Sequence, residues 1–595
     1  MVTVAESHLK RLEAAVTTRS STASAPAAAP APAPAPAPAL THPVVENSTA
    51  ARFVSRLKEI QQPKPGVDLA PAYDGPSPPV YEYFTLNSDT SPLIVHATDA
   101  KCTFKMPPYP YAVFLARQFM IYVAHDWHWF RLRRFHERLV RVYTTPDAPD
   151  SKDRLWLCQL LVAFALGASI GGHDPTSHVR RPGSAPPETP IQVSAVSSVA
   201  SHVPGAEVSG PSATPSTSAN IPGVEYLEQA LGLLKIPYEE ASVEHIETLN
   251  MVALCSYGLN RQQTTYMYAG VSARMCNMLQ LHLAASSRDC GPVERENRKR
   301  VWWTTFCIDR MASTQMGVLP ALHIDQADLT YPASDGLARE DMAEFADPDY
   351  LTARIQLTVI QADAVGSGDA DTDDTPALGR LTAWKAALPV HMAVPFHAGM
   401  AASEDDTAVL RSLANLHLRY NHCVILLLRP RLLRQIASIV ANDAPNEDSP
   451  AREKTLRQNL NHICLDAARS SLNMLFDLRA CGLLTHLGFM ENMHLFSSLV
   501  VLCLAKLINT RRPHSFPADP RDDVAYDTGR DLMQDMAAAG SLAARGHLRM
   551  LADVEALARS IAAVDGDAAV DVRVEQRDAD DWIALLFDEN LADPF

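Results

Sequence analysis

Residues 292–317, PVERENRKRVWWTTFCIDRMASTQMG, read as one helix from both ends. Pro292 suits a first helical turn, where its missing N–H has no intrahelical acceptor to lose. Gly317 takes the left-handed conformation that stops a helix. Between them Val301, Trp302, Phe306 and Ile308 supply apolar surface. Trp302 and Phe306 fall four apart, hence on one helical face, where each aromatic can bury on the order of 200 Å². Upstream, the same periodicity predicts helices over Tyr111–Val123, Trp127–Tyr143, Asp153–Ser169, onward from Val224, and over Gln262–Leu283. Ser242 caps a further one, with Val243, Ile246, Leu249, Ala253 and Leu254 on one face. Downstream, helices are predicted over 349–364, 376–388, 406–437, 452–480, 485–509 and 524–563. Alternating β-branched patterning never persists for several strands. The fold class is therefore all-α, a multi-helix body with disordered linkers and an acidic C-terminal tail.

The 595 residues are 47% apolar and 20% charged, which excludes disorder as the state of the whole chain. A formal net charge of −16 repels a polyanion, so any DNA contact must be local or supplied by another module. The ten cysteines include no Cys-x-x-Cys pair and mostly fall in apolar helical patterns. Without a signal-peptide pattern they read as small buried residues in a reducing compartment. Leu155–Gly171 is the most membrane-like stretch, but Gln159 interrupts it and it falls short of the roughly 20 residues a span needs. It reads as a buried core helix, and no membrane partner is expected.

Composition divides the chain further. In residues 1–19, Val2, Leu9, Leu12 and Val16 form an apolar seam only two heptads long, either a dimerising coiled-coil-like helix or an amphipathic helix without a partner. Residues 20–50 are an Ala/Pro-rich linker, extended and semi-rigid where Pro26–Pro38 alternates with alanine. Residues 51–104 are a poorly ordered lead-in containing a brief helix at Ala51–Ile60. The body, 105–563, is interrupted by a disordered insertion at 171–222, too poor in aromatics to offset its ordering entropy. In the tail, 564–595, Trp582, Ile583, Leu585, Leu586 and Phe587 stand among acids, with no basic residue after Arg577. Such a segment can recruit a partner groove as an activation segment, or pack on the body as a terminal helix.

Three patterns invite a chemical reading, and none reaches one. His125, Asp126 and His128 fall short of a metal's three or four ligands in defined geometry and read as packing residues. Asp369, Asp371, Asp373 and Asp374 resemble the start of a calcium loop, but Asp374 and Arg380 stand where its glycine and closing glutamate belong. Gly366-Ser367-Gly368 lacks the frame of a nucleophile elbow. No catalytic residue and no metal ligand is assigned, and the chain is read as no enzyme. The remote alternative is an all-α metal-dependent enzyme, which would need paired acids facing a helical cavity.

In Glu294–Arg310 a basic run leads into paired tryptophans and then an Asp-Arg pair. The stretch resembles the signature of the fungal-specific transcription factor domain, or middle homology region, of the fungal zinc binuclear cluster family. Arg298, Arg300, Trp302, Trp303, Phe306, Asp309, Arg310, Gly317 and Pro320 carry the likeness, with structural roles. Asp309 and Arg310 are expected to pair across a helix interface. Gly317-Val318-Leu319-Pro320 is one residue longer than the family's Gly-x-Pro turn and lacks its usual arginine. Leu166-Gly167, Leu281-His282, Trp384 and Leu428-Arg429-Pro430 are similar landmarks in the family's order.

The resemblance implies a nuclear regulator of RNA polymerase II transcription. Its partners would be a second subunit in a homo- or heterodimer, coactivators, DNA, and a small-molecule effector. It also implies a six-cysteine cluster holding two zinc ions, whereas the first cysteine here is Cys102. No cofactor is therefore assigned within this chain. Zinc and sequence-specific DNA binding are expected from a cluster encoded ahead of Met1 or supplied by a partner; the alternative is a zinc-less inhibitor or cofactor that dimerises with a DNA-binding relative. Fusing residues 570–595 to a heterologous DNA-binding domain should activate a reporter, and a silent reporter would remove the activation reading.

Overall fold

Helices form where the apolar periodicity calls for them, and tertiary packing decides where they stop. A computed structural model describes residues 50–61, 105–145, 147–170, 221–237, 239–366, 375–397, 407–441, 451–485 and 487–563. The seam at Val2, Leu9, Leu12 and Val16, the aspartates 369–374 and the tail residues Trp582, Ile583, Leu585, Leu586 and Phe587 lie outside the described residues, as do 171–220. The helices are α1 (Ala50–Gln61), α2 (Tyr109–Phe119), α3 (Leu132–Thr144), α4 (Arg154–Ile170), α5 (Val224–Leu233), α6 (Val243–Gly258), α7 (Gln262–Met278) and α8 (Pro292–Met316). There follow α9 (Pro348–Gly366), α10 (Thr375–Ala386), α11 (Val390–Ala393), α12 (Thr407–Val440), α13 (Ala451–Ala480), α14 (Phe489–Arg511), α15 (Arg521–Ala538) and α16 (Leu542–Ala563). Among the described residues there is no strand, only a single parallel bridge between Leu283 and Asp328.

Two apolar cores result. The first is built by α2 to α8, with Trp129, Trp156, Phe164, Trp302 and Phe306 at its centre. The second is built by α1 and α9 to α16. Helix α9 serves both: Leu351 and Ile355, four apart, face the first core, while Tyr350, Ala353 and Leu357 face the second. The brief helix read at Ala51–Ile60 is α1, and its Phe53, Val54 and Leu57 are buried in the second core, against α12 and α16.

Several boundaries differ from the sequence reading. The helix expected from Trp127 begins at Leu132, because α2 ends in a π-helical turn, Met120–Ala124, and the chain then bends to bury Trp127, Trp129 and Phe130. The indole N–H of Trp129 holds the bend by donating to the Val123 carbonyl at 2.9 Å. The helix expected to reach Leu283 stops at Met278, since Gln280 adopts a left-handed φ of 53°. Helix α6, expected to bury one face, is buried on nearly every side, Glu247, Thr248 and Asn250 included. The stretch 524–563 breaks at Gly540, whose φ is +106°. At its predicted stop, Gly317 closes α8 with φ 67°.

Among the described residues, the helix whose length and composition most suit a membrane is not Leu155–Gly171 but Met490–Arg511, with a mean hydropathy of 1.6; 72% of its apolar window is buried within the fold, as in a core helix.

Helices α2 and α4 meet so closely that a Cβ on Gly167 would lie 2.2 Å from the Leu115 carbonyl oxygen. Backbone cannot yield as a side chain can, so Gly167→Ala should lower stability by roughly 1–3 kcal/mol. Chemical denaturation followed by tryptophan fluorescence checks this, and an unchanged midpoint would contradict the close approach.

Candidate functional site

The signature residues are brought together along α8, and their partners lie mostly in the loops that flank it. Arg300, fully buried, donates from Nε to Glu296 Oε1 and from Nη1 to the Ala346 carbonyl, both at 2.7 Å. Glu296 Oε1 also accepts the Ala333 N–H at 3.0 Å. Trp303 donates its indole N–H to the Thr330 carbonyl at 3.1 Å and stacks on Tyr331, while Trp302 stacks on Phe306 with centroids 5.6 Å apart. Asp309 Oδ2 accepts the backbone N–H groups of Ala321 and Leu322 at 2.7 and 2.9 Å, and Arg310 donates to the Leu322 carbonyl at 2.9 Å. These partners of the Asp-Arg pair belong to the turn that follows α8, not to another helix. Arg298 reaches back to the Ser286 carbonyl at 3.2 Å. Gly317 and the half-buried Pro320 shape the turn itself. The signature is thus a clamp on irregular backbone, and it satisfies carbonyl and amide groups that would otherwise be costly to bury.

A cleft of about 820 Å³ opens between the two cores. It is walled by the bend after α2, the ends of α4 and α6, and α9, α12 and α14. Helix α12 lines it with Arg411, Asn415 and Arg419, and His422 and Arg429 continue the same polar stripe beyond the cleft, at spacings of three, four or seven residues on one face of a largely buried helix. Arg411 pairs with Glu491, which also accepts the Thr485 hydroxyl. Burial by itself would raise the Glu491 carboxyl, but Arg411 outweighs it and holds the group below the ordinary range. Arg354 of α9 faces Asp126 at 3.3 Å, and Asp126 takes further hydrogen bonds from Tyr350 and Asn415. Arg354 also lies over the Trp127 ring, 4.2 Å from its centroid. His422 and His494 meet edge to face at 5.1 Å. Burial pushes His494 down to about 3 and His422 well below its usual value, so both are neutral.

The triplet singled out as a metal candidate is dispersed by the bend. His128 bonds Asn297 at 2.7 Å and is held by burial at about 3, whereas Asp126 faces the cleft. Among the described residues no group of three or more His, Cys, Asp or Glu side chains is gathered as a metal would require. Sequence reasoning missed Arg354, Arg411, Arg419 and Glu491, since they converge from three separate helices. The stripe along α12 was the available signal, being legible as charged residues at helical spacing inside an apolar pattern.

A second buried carboxyl titrates in the opposite sense to Glu491. Glu247 lies in the first core, accepts a hydrogen bond from Asn297 at 3.3 Å, and is pushed up to about 8 by burial. Its folded value exceeds its unfolded one, so what it contributes is fully present below about pH 4.5 and is lost as pH rises through 8. Glu247→Gln should therefore flatten a fall in stability between pH 5 and 8, and add on the order of 2 kcal/mol at pH 8. Unfolding midpoints across that range check it; parallel curves for the variant and the parent would contradict a neutral buried carboxyl.

Comparison with known proteins adds the following. Residues 173–350 match the fungal specific transcription factor domain. The chain is 24% identical over 271 residues to the transcription factor FBD3 of Gibberella moniliformis, covering 42% of this chain and 35% of that one. It is 22% identical over 419 residues to an uncharacterised transcriptional regulatory protein of Schizosaccharomyces pombe, covering 67% and 45% respectively. It is also 22% identical over 272 residues to an ABC-transporter-regulating transcription factor of Aspergillus fumigatus, covering 42% and 29%. The chain thus spans less than half the length of each of these relatives. No solved structure matches it.

Proposed function

We propose, from the premise that this chain carries a fungal specific transcription factor domain over residues 173–350, that it is the regulatory body of a transcriptional regulator acting in the nucleus on RNA polymerase II genes. The observation that carries this reading is the coincidence of two features. The matched segment contains the whole of α8, and the signature on α8 clamps the backbone that connects it to α9. Such a clamp is architecture for contact and for conformational control, and it needs no catalytic group. In this reading the chain is not an enzyme. It works in a homo- or heterodimer and recruits coactivators. DNA is contacted through a zinc cluster outside residues 1–595 or through a partner, consistent with a net charge of −16 that disfavours direct nonspecific binding.

The test is made at the native locus of the encoding fungus. A tagged full-length protein should concentrate in the nucleus and crosslink to discrete promoters, and deletion should change the transcripts of those genes. An unaltered transcript profile together with a non-nuclear distribution would overturn the proposal.

A further inference from the structure

A second recess, partly open to solvent, lies beside the cleft between α8, α9, α12 and α14, and Arg419 lines both. Its walls include Arg310, Arg419 and Arg429 but no aspartate or glutamate. Arg310 is engaged with the turn after α8. The other two have no carboxylate partner among the described residues. Arg419 is 6% exposed, and its one hydrogen bond among the described residues is a long contact of 3.4 Å to the Thr358 hydroxyl; its Nε has no acceptor. Arg429 is 4% exposed, rests over the Phe53 ring at 4.5 Å, and its Nη1 has no acceptor. His422 Nδ1 and Ser497 Oγ, on the same walls, are also buried without partners.

A guanidinium keeps its proton under all physiological conditions, so it cannot escape burial by neutralising itself. An unanswered buried charge is costly, and here two of the buried groups without a partner are guanidiniums lining one cavity. Burial and the nearby Arg354 lower the Arg419 guanidinium, and burial brings Arg429 to about 10, the direction expected where no counter-charge is present. The pairs Arg411–Glu491 and Arg354–Asp126 show that this seam supplies a carboxylate where the fold needs one. At Arg419 and Arg429 the described residues supply none. Met311, Met490 and Met493 complete the wall with adaptable apolar surface suited to a carbon skeleton.

We propose that this cavity binds a small organic anion whose carboxylate or phosphate groups are answered by Arg419 and Arg429, which stand ten residues apart on α12, about 15 Å along its axis, with His422 and Ser497 adding hydrogen bonds. A planar guanidinium fork offers either acid group paired donors. Arg419 and Arg429 both lie on α12, outside the segment 173–350 that matches the family model, and Arg429 belongs to the Leu428-Arg429-Pro430 landmark noted in the sequence. Any regulatory consequence rests on the transcriptional reading above, whereas binding does not.

The test therefore reads binding alone. Thermal unfolding of the full chain is followed with succinate, citrate or inorganic phosphate at millimolar concentration, against chloride at equal ionic strength. At least one of the three should raise Tm by several degrees, as a ligand selective for the folded state must, and which of them does so separates carboxylate from phosphate recognition. Arg429→Met and Arg419→Met should abolish that rise while leaving the ligand-free Tm equal to or above that of the parent. A residue with a merely structural role would lower it. Should either variant fail to fold, Ser497→Ala and His422→Gln should weaken binding at least tenfold by calorimetry. Anion shifts no larger than that of chloride, or full shifts retained in the arginine variants, would overturn the proposal.

Discussion

An arginine carried into an apolar interior commits its surroundings to answering a charge, because the guanidinium cannot be titrated away. Helix α12 carries three such residues, Arg411, Arg419 and Arg429, along one stripe, and α9 brings Arg354 to the same seam. Two are answered: Glu491, at the start of α14, closes on Arg411, and Asp126, from the bend after α2, closes on Arg354. The second of these joins residues more than two hundred positions apart and ties the first core to the second. The bend exists so that Asp126 and three buried aromatics can be presented together, and this is why a helix expected to start at Trp127 gives way to irregular chain.

The two cores are joined by geometry as well as by charge. Helix α9 lends one face to each, and α8 fixes the chain that leads into α9 through its hold on residues 321–346. Signature residues that look chemically suggestive in sequence, the Asp-Arg pair above all, are spent on backbone amides and carbonyls. In the neighbouring seam, Arg419 and Arg429 keep buried guanidinium atoms without an acceptor among the described residues.

The charge distribution runs opposite to the bulk composition. Overall the chain is acidic at −16, yet the seam between its cores holds guanidinium groups in excess of carboxylates. A net negative charge disfavours extended polyanions, whereas a recess lined by guanidinium groups favours a small anion.

The all-α class, most helix positions, the Ser242 cap and the Gly317 stop were legible in sequence, because they rest on spacings and capping chemistry internal to each segment. The likeness carried by Trp302, Trp303, Asp309 and Arg310 was legible for the same reason, being contiguous. Tertiary structure alone decided that Asp309 and Arg310 grip the turn after their own helix, that Glu247 is buried, and that α6 is buried on nearly every side. It alone brought Arg354, Arg411, Arg419 and Arg429 around shared cavities and gave carboxylates to two of them. A residue's helical period records only which neighbours share its face; which distant helix that face meets, and whether a counter-charge waits there, depends on how the helices pack.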